Sequence, residues 1–372
     1  PETDEEGNAI LPPPPSTDVS ETAQTRAAES CAEPEAPTPA EEEQPTHGDY
    51  HQAVELASTA YRQMLDQSSQ MMKNLVSGSE EGLRHAQSLI GGLSTLLTNT
   101  EAAGTVASAF DSEDVTNANQ LHALNVATLS MIVAQQFDID QEALQLIGMA
   151  GLLLDVGEQR IPRHILQTRA RRSEVENVKY QLHPSLGVEM LRRFPGFPEE
   201  VLDVIRSHHE RLDGSGYPEK LKGDQISLPT RIVSAVDHYD ALVNSFHPED
   251  ALSPAEALAT MYKHQQRLFS SEVLIAMIQT LGVFPPGTVV TLTDGSFGQV
   301  LNINFKYRLK PLVLLHDQAA PADQPRTVDL QTESELSILR AMPRDELPGN
   351  VVEYFRIKRW TGYFIQSSMR AA

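Results

Sequence analysis

The densest chemistry in this chain is Ser207-His208-His209-Glu210-Arg211-Leu212-Asp213-Gly214-Ser215-Gly216-Tyr217-Pro218. Neutral imidazole is the commonest metal ligand. The run from Pro198 to Ser207 puts Val201, Val204, Ile205 and His208 on one helical face by three- and four-residue spacing. His208 therefore reaches the buried side, and His209, one residue on, is close enough to share a site. The pattern reads as metal ligands beside a substrate loop. With one cysteine, Cys31, a thiolate-rich zinc site is excluded and any metal takes His, Asp or Glu. Asp155 ends a strongly apolar stretch, Gln141 to Val156, where a buried carboxylate needs a partner or a cation.

His208-His209-Glu210, Asp213-Gly214 and Gly216-Tyr217-Pro218 resemble the complete signature of the HD-GYP family, bacterial all-helical metal-dependent phosphodiesterases that open cyclic di-GMP. The resemblance covers roughly residues 110–285 and implies roles residue by residue. His122, a lone histidine of the kind that is usually a satisfied core residue, falls at the first metal-ligand position. Asp155 would bridge two metals. His183, His208 and His209 would complete one site with it; His122, Asp237 and the residue at 154 would complete the other. Catalysis would rest on Asp155, His208 and His209. Asp213, Gly214, Gly216, Tyr217 and Pro218 would contact the nucleotide. Histidine and carboxylate donors without thiolates suit iron or manganese, and zinc is also compatible with them. Two metals bridged by a carboxylate supply the nucleophile and neutralise the developing oxyanion, giving pGpG or GMP.

Four positions depart from the family pattern. Leu154 stands where the family has the histidine that names it, and Glu158 where it has lysine. Phe246 and Glu249, with His247 and Pro248, stand where relatives hold phosphate. Each change weakens electrostatic stabilisation, commonly the largest catalytic contribution. Two functions remain in view: a metal-dependent cyclic di-GMP phosphodiesterase of reduced rate, and a non-catalytic signalling module that binds cyclic di-GMP or a diguanylate cyclase.

The elements that must position these residues are mainly helical. Periodicity predicts helices from about Tyr50 to Leu75 and Leu83 to Leu97, then over Asn119–Phe137 with His122 on it. Ser173 and Glu176 form a capping box before a helix that His183-Pro184 interrupts. Ser227-Leu228-Pro229 opens a helix that carries Asp237 on its buried side. Ser253-Pro254-Ala255-Glu256 opens another, and Glu272 to Leu281 runs to a stop at Gly282. Val289–Thr293, Phe297–Phe305 and Leu312–His316 read as strands, the first two joined by a Thr293-Asp294-Gly295-Ser296 turn. Residues 318–345 read as polar loop, and the basic, aromatic stretch Arg356 to Phe364 as packed on the body or a second subunit. The expected fold is mainly α: an HD-type helical bundle with a small C-terminal β appendage.

Across 372 residues the expected order is a disordered acidic Pro-rich tail over 1–47, a helical segment over 48–110, the HD-GYP domain over 111–284, and the appendage over 285–372. Residues 1–50 hold thirteen Asp/Glu against the single basic residue Arg26, a large share of the net charge of -22. That balance argues against nucleic acid as a partner. Arg169, Arg171, Arg172, Arg192 and Arg193 form the clearest basic cluster and read as a solvated face. No apolar run is long enough to span a bilayer and no signal peptide is recognised, so the expected location is cytoplasmic. The helical stripes before residue 98 fit either the core or a homodimer surface.

Overall fold

Serine or aspartate side chains cap the starts of four of the helices. The computed structural model describes residues 47–98, 104–110, 118–166, 172–302, 309–317, 326–333, 335–355, 357 and 360–366. The acidic tail expected over 1–47 lies outside them, apart from His47, where α1 (His47–Val76) begins. The chain continues through α2 (Glu80–Thr98), β1 (Gly104–Phe110), α3 (Ala118–Ala134) and α4 (Gln141–Leu153). Asp140 caps α4 by accepting from the Ala143 amide at 2.8 Å. A tight turn over Val156–Arg160 leads to α5 (Arg163–Leu166), α6 (Glu174–Tyr180), α7 (His183–Leu191) and α8 (Glu199–Ser207). After the glycine-rich loop come α9 (Leu228–Val243), α10 (Pro254–His264) and α11 (Ser271–Leu281). The Ser173/Glu176 and Ser253/Glu256 capping boxes form, Ser227 caps α9, and α11 stops at Gly282 with φ 76°.

Helix α3 is buried on almost every side from Gln120 to Ala134, so it is the axis of the bundle. Its leucines share one continuous apolar cluster with Tyr61 and Leu75 of α1, Leu89, Ile90 and Leu93 of α2, and residues of α4, α7, α8, α9, α10 and α11. No helix among the described residues is long and apolar enough to cross a membrane.

The β appendage is an antiparallel sheet in the order β5-β4-β3-β2-β6, from β2 (Val289–Leu292), β3 (Phe297–Asn302), β4 (Leu312–Leu315), β5 (Thr327–Asp329) and β6 (Ile338–Ala341). The hairpin turn predicted at 293–296 joins β2 to β3, with Gly295 at φ 84° and Thr291 facing Phe297. Two expectations are corrected. The stretch 318–345 is not all loop, since β5 and β6 fall within it. They are short strands at the two edges of the sheet, and only Val328 of the pair is deeply buried, so the alternating apolar signal is faint. The segment before residue 110 is not all helix either. β1 pairs antiparallel with β7 (Trp360–Gln366), from Gly104 opposite Gln366 to Phe110 opposite Trp360. That partner is some 250 residues away in sequence, beyond any local signal. A short helix, α12 (Gly349–Tyr354), precedes β7, whose Tyr363 is fully buried in the helical core. Of the two placements expected for the C-terminal stretch, the body or a second subunit, β7 takes the first.

Candidate metal centre

Helix ends build the site. Helix α4 stops at Leu153, Leu154 turns into the apolar core with no exposed surface, and Asp155 is left facing the start of α7 and the end of α8. The turn that follows touches α7 at Gly157, where a Cβ would collide with the His183 carbonyl and the Gly187 amide. That close approach sets Asp155 against His183, the first residue of α7. His208 caps the C-terminus of α8 and His209 follows it. Asp237 sits within α9 and His122 on α3.

Asp155, His183, His208 and His209 each offer a donor atom within 4.8 Å of the others. His183 Nε2 lies 3.2 Å and His208 Nε2 3.7 Å from Asp155 Oδ1, and the two Nε2 atoms are 3.3 Å apart. Both rings are turned by backbone carbonyls: His183 Nδ1 donates to Tyr180 at 2.8 Å and His208 Nδ1 to Ile205 at 2.7 Å. With the proton on Nδ1 and none on Nε2, each ring points an Nε2 lone pair at the same small volume. Asp155 Oδ1 and His209 Nε2 are buried without a hydrogen-bond partner. Unpaired buried donors of this kind call for a ligand. The residues present fit a divalent cation.

Charge follows the same geometry. Burial opposes ionisation of Asp155, but His183 and His208 hold its pKa well below the usual value. Burial also opposes charge on His183, and the Asp155 carboxylate 3.2 Å away overrides it to raise its pKa. Burial, reinforced by the neighbouring His208, pushes His209 well down, so it is a neutral donor.

His122 and Asp237 adjoin this group. His122 Nε2 is 3.1 Å from Asp237 Oδ1 and 3.6 Å from Asp155 Oδ2, and its Nδ1 is 2.7 Å from Asp240 Oδ2. Asp237 Oδ2 lies 3.8 Å from His209 Nδ1. This second set has one imidazole, His122, and Leu154, sealed in the core, supplies no other. Glu158 is 7% exposed and accepts from Asn119 Nδ2 at 2.6 Å. Burial first, then the charge of Asp155, pushes its pKa up to about 7. The charge reversal expected from the sequence is therefore only partial at neutral pH.

The glycine-rich loop is locked from within. Glu210 accepts from the amides of Glu219 at 2.6 Å and Leu221 at 2.9 Å. Arg211 donates to the carbonyls of His208 and Glu210 and to Ser234 Oγ. Gly216 lies against the backbone of 209–211, where a Cβ would come within 2.5 Å of Glu210 Cα. Of the five loop residues expected to contact substrate, Tyr217 reaches the cluster, its ring 4.7 Å from that of His209 and 6.4 Å from that of His183. Asp213 is exposed and accepts from the amide and hydroxyl of Ser215, Gly214 turns at φ 81°, and Pro218 is exposed.

Phe246 is half exposed, beside His247 and Glu249 on the surface between α9 and α10. In the basic cluster Arg192 pairs with Glu199 and Arg193 with Glu189, while Arg172 covers the Tyr180 ring at 3.8 Å. Arg169 and Arg171 lie outside the described residues. Sequence reasoning missed Asp240, Glu210, Arg211 and Tyr180 as supports. Glu210 stands in the quoted signature with no supporting role assigned to it, and Asp240 follows Asp237 by three residues on the same helical face.

Residues 61–273 match the family model described as HD domain. The chain is 32% identical over 193 residues to a cyclic di-GMP phosphodiesterase of Pseudomonas aeruginosa, covering 52% of this chain and 46% of that protein. It is 34% identical over 149 residues to the cyclic di-GMP phosphodiesterase response regulator RpfG of Xanthomonas campestris, covering 40% and 39%. It is 31% identical over 165 residues to a 3'3'-cGAMP-specific phosphodiesterase of Vibrio cholerae, covering 44% and 35%. The matches thus span less than half the length of these curated relatives. A solved HDG"Y"P protein from Bdellovibrio bacteriovorus superposes with TM-score 0.46 at 20% identity, covering 58% of this chain and 68% of that one. The chain belongs to the HD domain family, with the signature of its HD-GYP members.

Proposed function

We propose that this chain is a metal-dependent phosphodiesterase of cyclic di-GMP, working mainly from one four-donor site and slower than relatives that keep the histidine at 154. The observation that carries this reading is the convergence of four His/Asp donors within 4.8 Å, two of them buried without hydrogen-bond partners. The named relatives, which act on cyclic di-GMP and 3'3'-cGAMP, support the substrate class.

Asp155, His183, His208 and His209 would hold one ion, and His122 and Asp237 a second shared through Asp155. Iron or manganese suits these nitrogen and oxygen donors. Bound there, a divalent ion supplies neutralisation of a phosphoryl oxygen and an acidified water at neutral pH. The protein's own work is orientation. The Tyr180 and Ile205 carbonyls hold the Nδ1 protons of His183 and His208. Asp155 faces both sets of donors. Tyr217, beside His209, offers an aromatic face at the rim for a guanine base. Glu158, titrating near pH 7, adds less than a full negative charge against the substrate.

A second reading, a non-catalytic module that binds cyclic di-GMP or a diguanylate cyclase, is favoured by one observation: Leu154 is sealed in the core and supplies no donor. Calorimetry with manganese and cyclic di-GMP, run beside a product assay, separates the two. The first reading expects metal binding and metal-dependent product. Metal and nucleotide binding without product selects the second. No metal binding contradicts both.

A further inference from the structure

Buried polar groups outside the cluster converge on one peptide of the C-terminal strand. Thr361 lies in β7, beyond the stretch 61–273 that matches the family model. Its amide donates to Asn244 Oδ1 at 2.8 Å, and its carbonyl accepts from Asn244 Nδ2 and Asn125 Nδ2, each at 2.9 Å. The same two amide groups also donate to Asp240 Oδ1, Asn125 at 2.7 Å and Asn244 at 2.9 Å. The other oxygen of that carboxylate, Oδ2, is 2.7 Å from His122 Nδ1. Asn125 Oδ1 accepts from the Tyr61 hydroxyl of α1 at 2.7 Å and from the Tyr363 amide at 2.9 Å. Asn125, Asp240 and Tyr363 have no exposed surface.

Both asparagines thus bridge the same two acceptors, the Asp240 carboxylate and the Thr361 carbonyl. Each side-chain amide spends both N–H groups and its oxygen, so neither can rotate without leaving a buried group unpaired. The carboxylate is held through one oxygen and presents the other to His122. An imidazole held at Nδ1 by a carboxylate has its ring plane and its free nitrogen set for ligation.

We propose that Asn125 and Asn244 are positioning residues that couple the C-terminal strand to the metal centre. They clamp the Thr361 peptide to one side of Asp240 and thereby fix His122 on the other, with Nε2 toward Asp155 and Asp237. The inference rests on the metal-centre reading for its consequence, but its geometry is testable without metal. It makes a strand outside the matched region part of the support of the site, so docking of β7 sets how well the second group of donors is ordered.

Two measurements on the full chain test it. The first titrates manganese by electron paramagnetic resonance into the wild type, Asn244→Ala, His122→Ala and the double variant. Asn244 is chosen because it is only half buried. The expected result is a loss of affinity of about 10-fold for Asn244→Ala, within the range for residues that orient a ligand, and no further loss when His122 is already absent. An equal loss in both backgrounds overturns the proposal, because Asn244 would then act on the fold at large. The second follows the Nδ1–H proton of His122 by NMR in metal-free protein. It is expected to be protected and shifted downfield in the wild type and to exchange rapidly in Asn244→Ala. Persistence in the variant overturns the proposal. If the wild type binds no manganese, the functional reading fails and the NMR result alone decides this inference. Should Asn244→Ala not fold, Asn244→Ser, which keeps a hydroxyl donor, goes through both measurements.

Discussion

Imidazoles are useful to a metal only if the proton sits on the other nitrogen. In His183 and His208 two backbone carbonyls settle that, and both Nε2 atoms face Asp155. His208→Ala should therefore lower manganese affinity by more than about 100-fold, since loss of an orienting partner alone costs about 10- to 100-fold; a calorimetric titration reads it. Glu158 gives a pH prediction. Its pKa is about 7 in the folded chain against 4.5 unfolded. The folded state then binds the extra proton between those values, so stability is full below 4.5 and falls as pH rises through 7. Glu158→Gln keeps an acceptor for Asn119 and removes that fall, which amounts to up to about 3 kcal/mol. Urea unfolding of metal-free protein at pH 5 and pH 8 should show a smaller difference in the variant than in the wild type. An equal difference would mean that Glu158 titrates as an exposed carboxyl. The ligand candidates were legible as residues because His208-His209 and the loop after them form a long motif. The near-neutral pKa of Glu158 was not, because it arises from burial and from Asp155, neither of which is visible in a string of letters.

At the scale of elements, the site depends on how closely helix ends approach. Gly157 lets the turn after α4 lie on the start of α7. Glu210, only 2% exposed, ties the two amides beyond Tyr217-Pro218 back to the end of α8. Glu210→Ala leaves both amides without their acceptor, at about 1–3 kcal/mol for each that stays buried. The expected outcome is faster hydrogen exchange over residues 217–222 and weaker nucleotide binding, with manganese affinity within about threefold of wild type, well short of the loss seen when a ligand's support goes. Loss of metal binding would instead place Glu210 in direct support of the histidines. Helix starts were readable here because Ser173, Ser227 and Ser253 carry their own chemistry. β5 and β6 were not, being short edge strands with little apolar surface.

For the whole molecule, the helices before residue 98 are part of the same core as the site's helices. Tyr61, Leu75, Leu89, Ile90 and Leu93 pack in one cluster with α3 and α4. A shortened chain beginning at residue 111 would expose that face and strip β7 of its partner β1. By circular dichroism the full chain is expected to melt in one cooperative transition and the shortened chain to lack it. A cooperative melt of the shortened chain would make α1 and α2 an independent segment. The mainly helical bundle and the β hairpin were legible from periodicity and turn residues. The β1–β7 pairing was not, because long-range pairing leaves no local trace.

Cyclic di-GMP hydrolysis decides whether the four-donor centre is catalytic. The full chain is reconstituted anaerobically with iron or manganese, and nucleotide products are followed by chromatography beside His208→Ala. Metal-dependent product is expected from the wild type and none from the variant. Equal product from both, or product that does not depend on metal, would contradict a catalytic role for that centre.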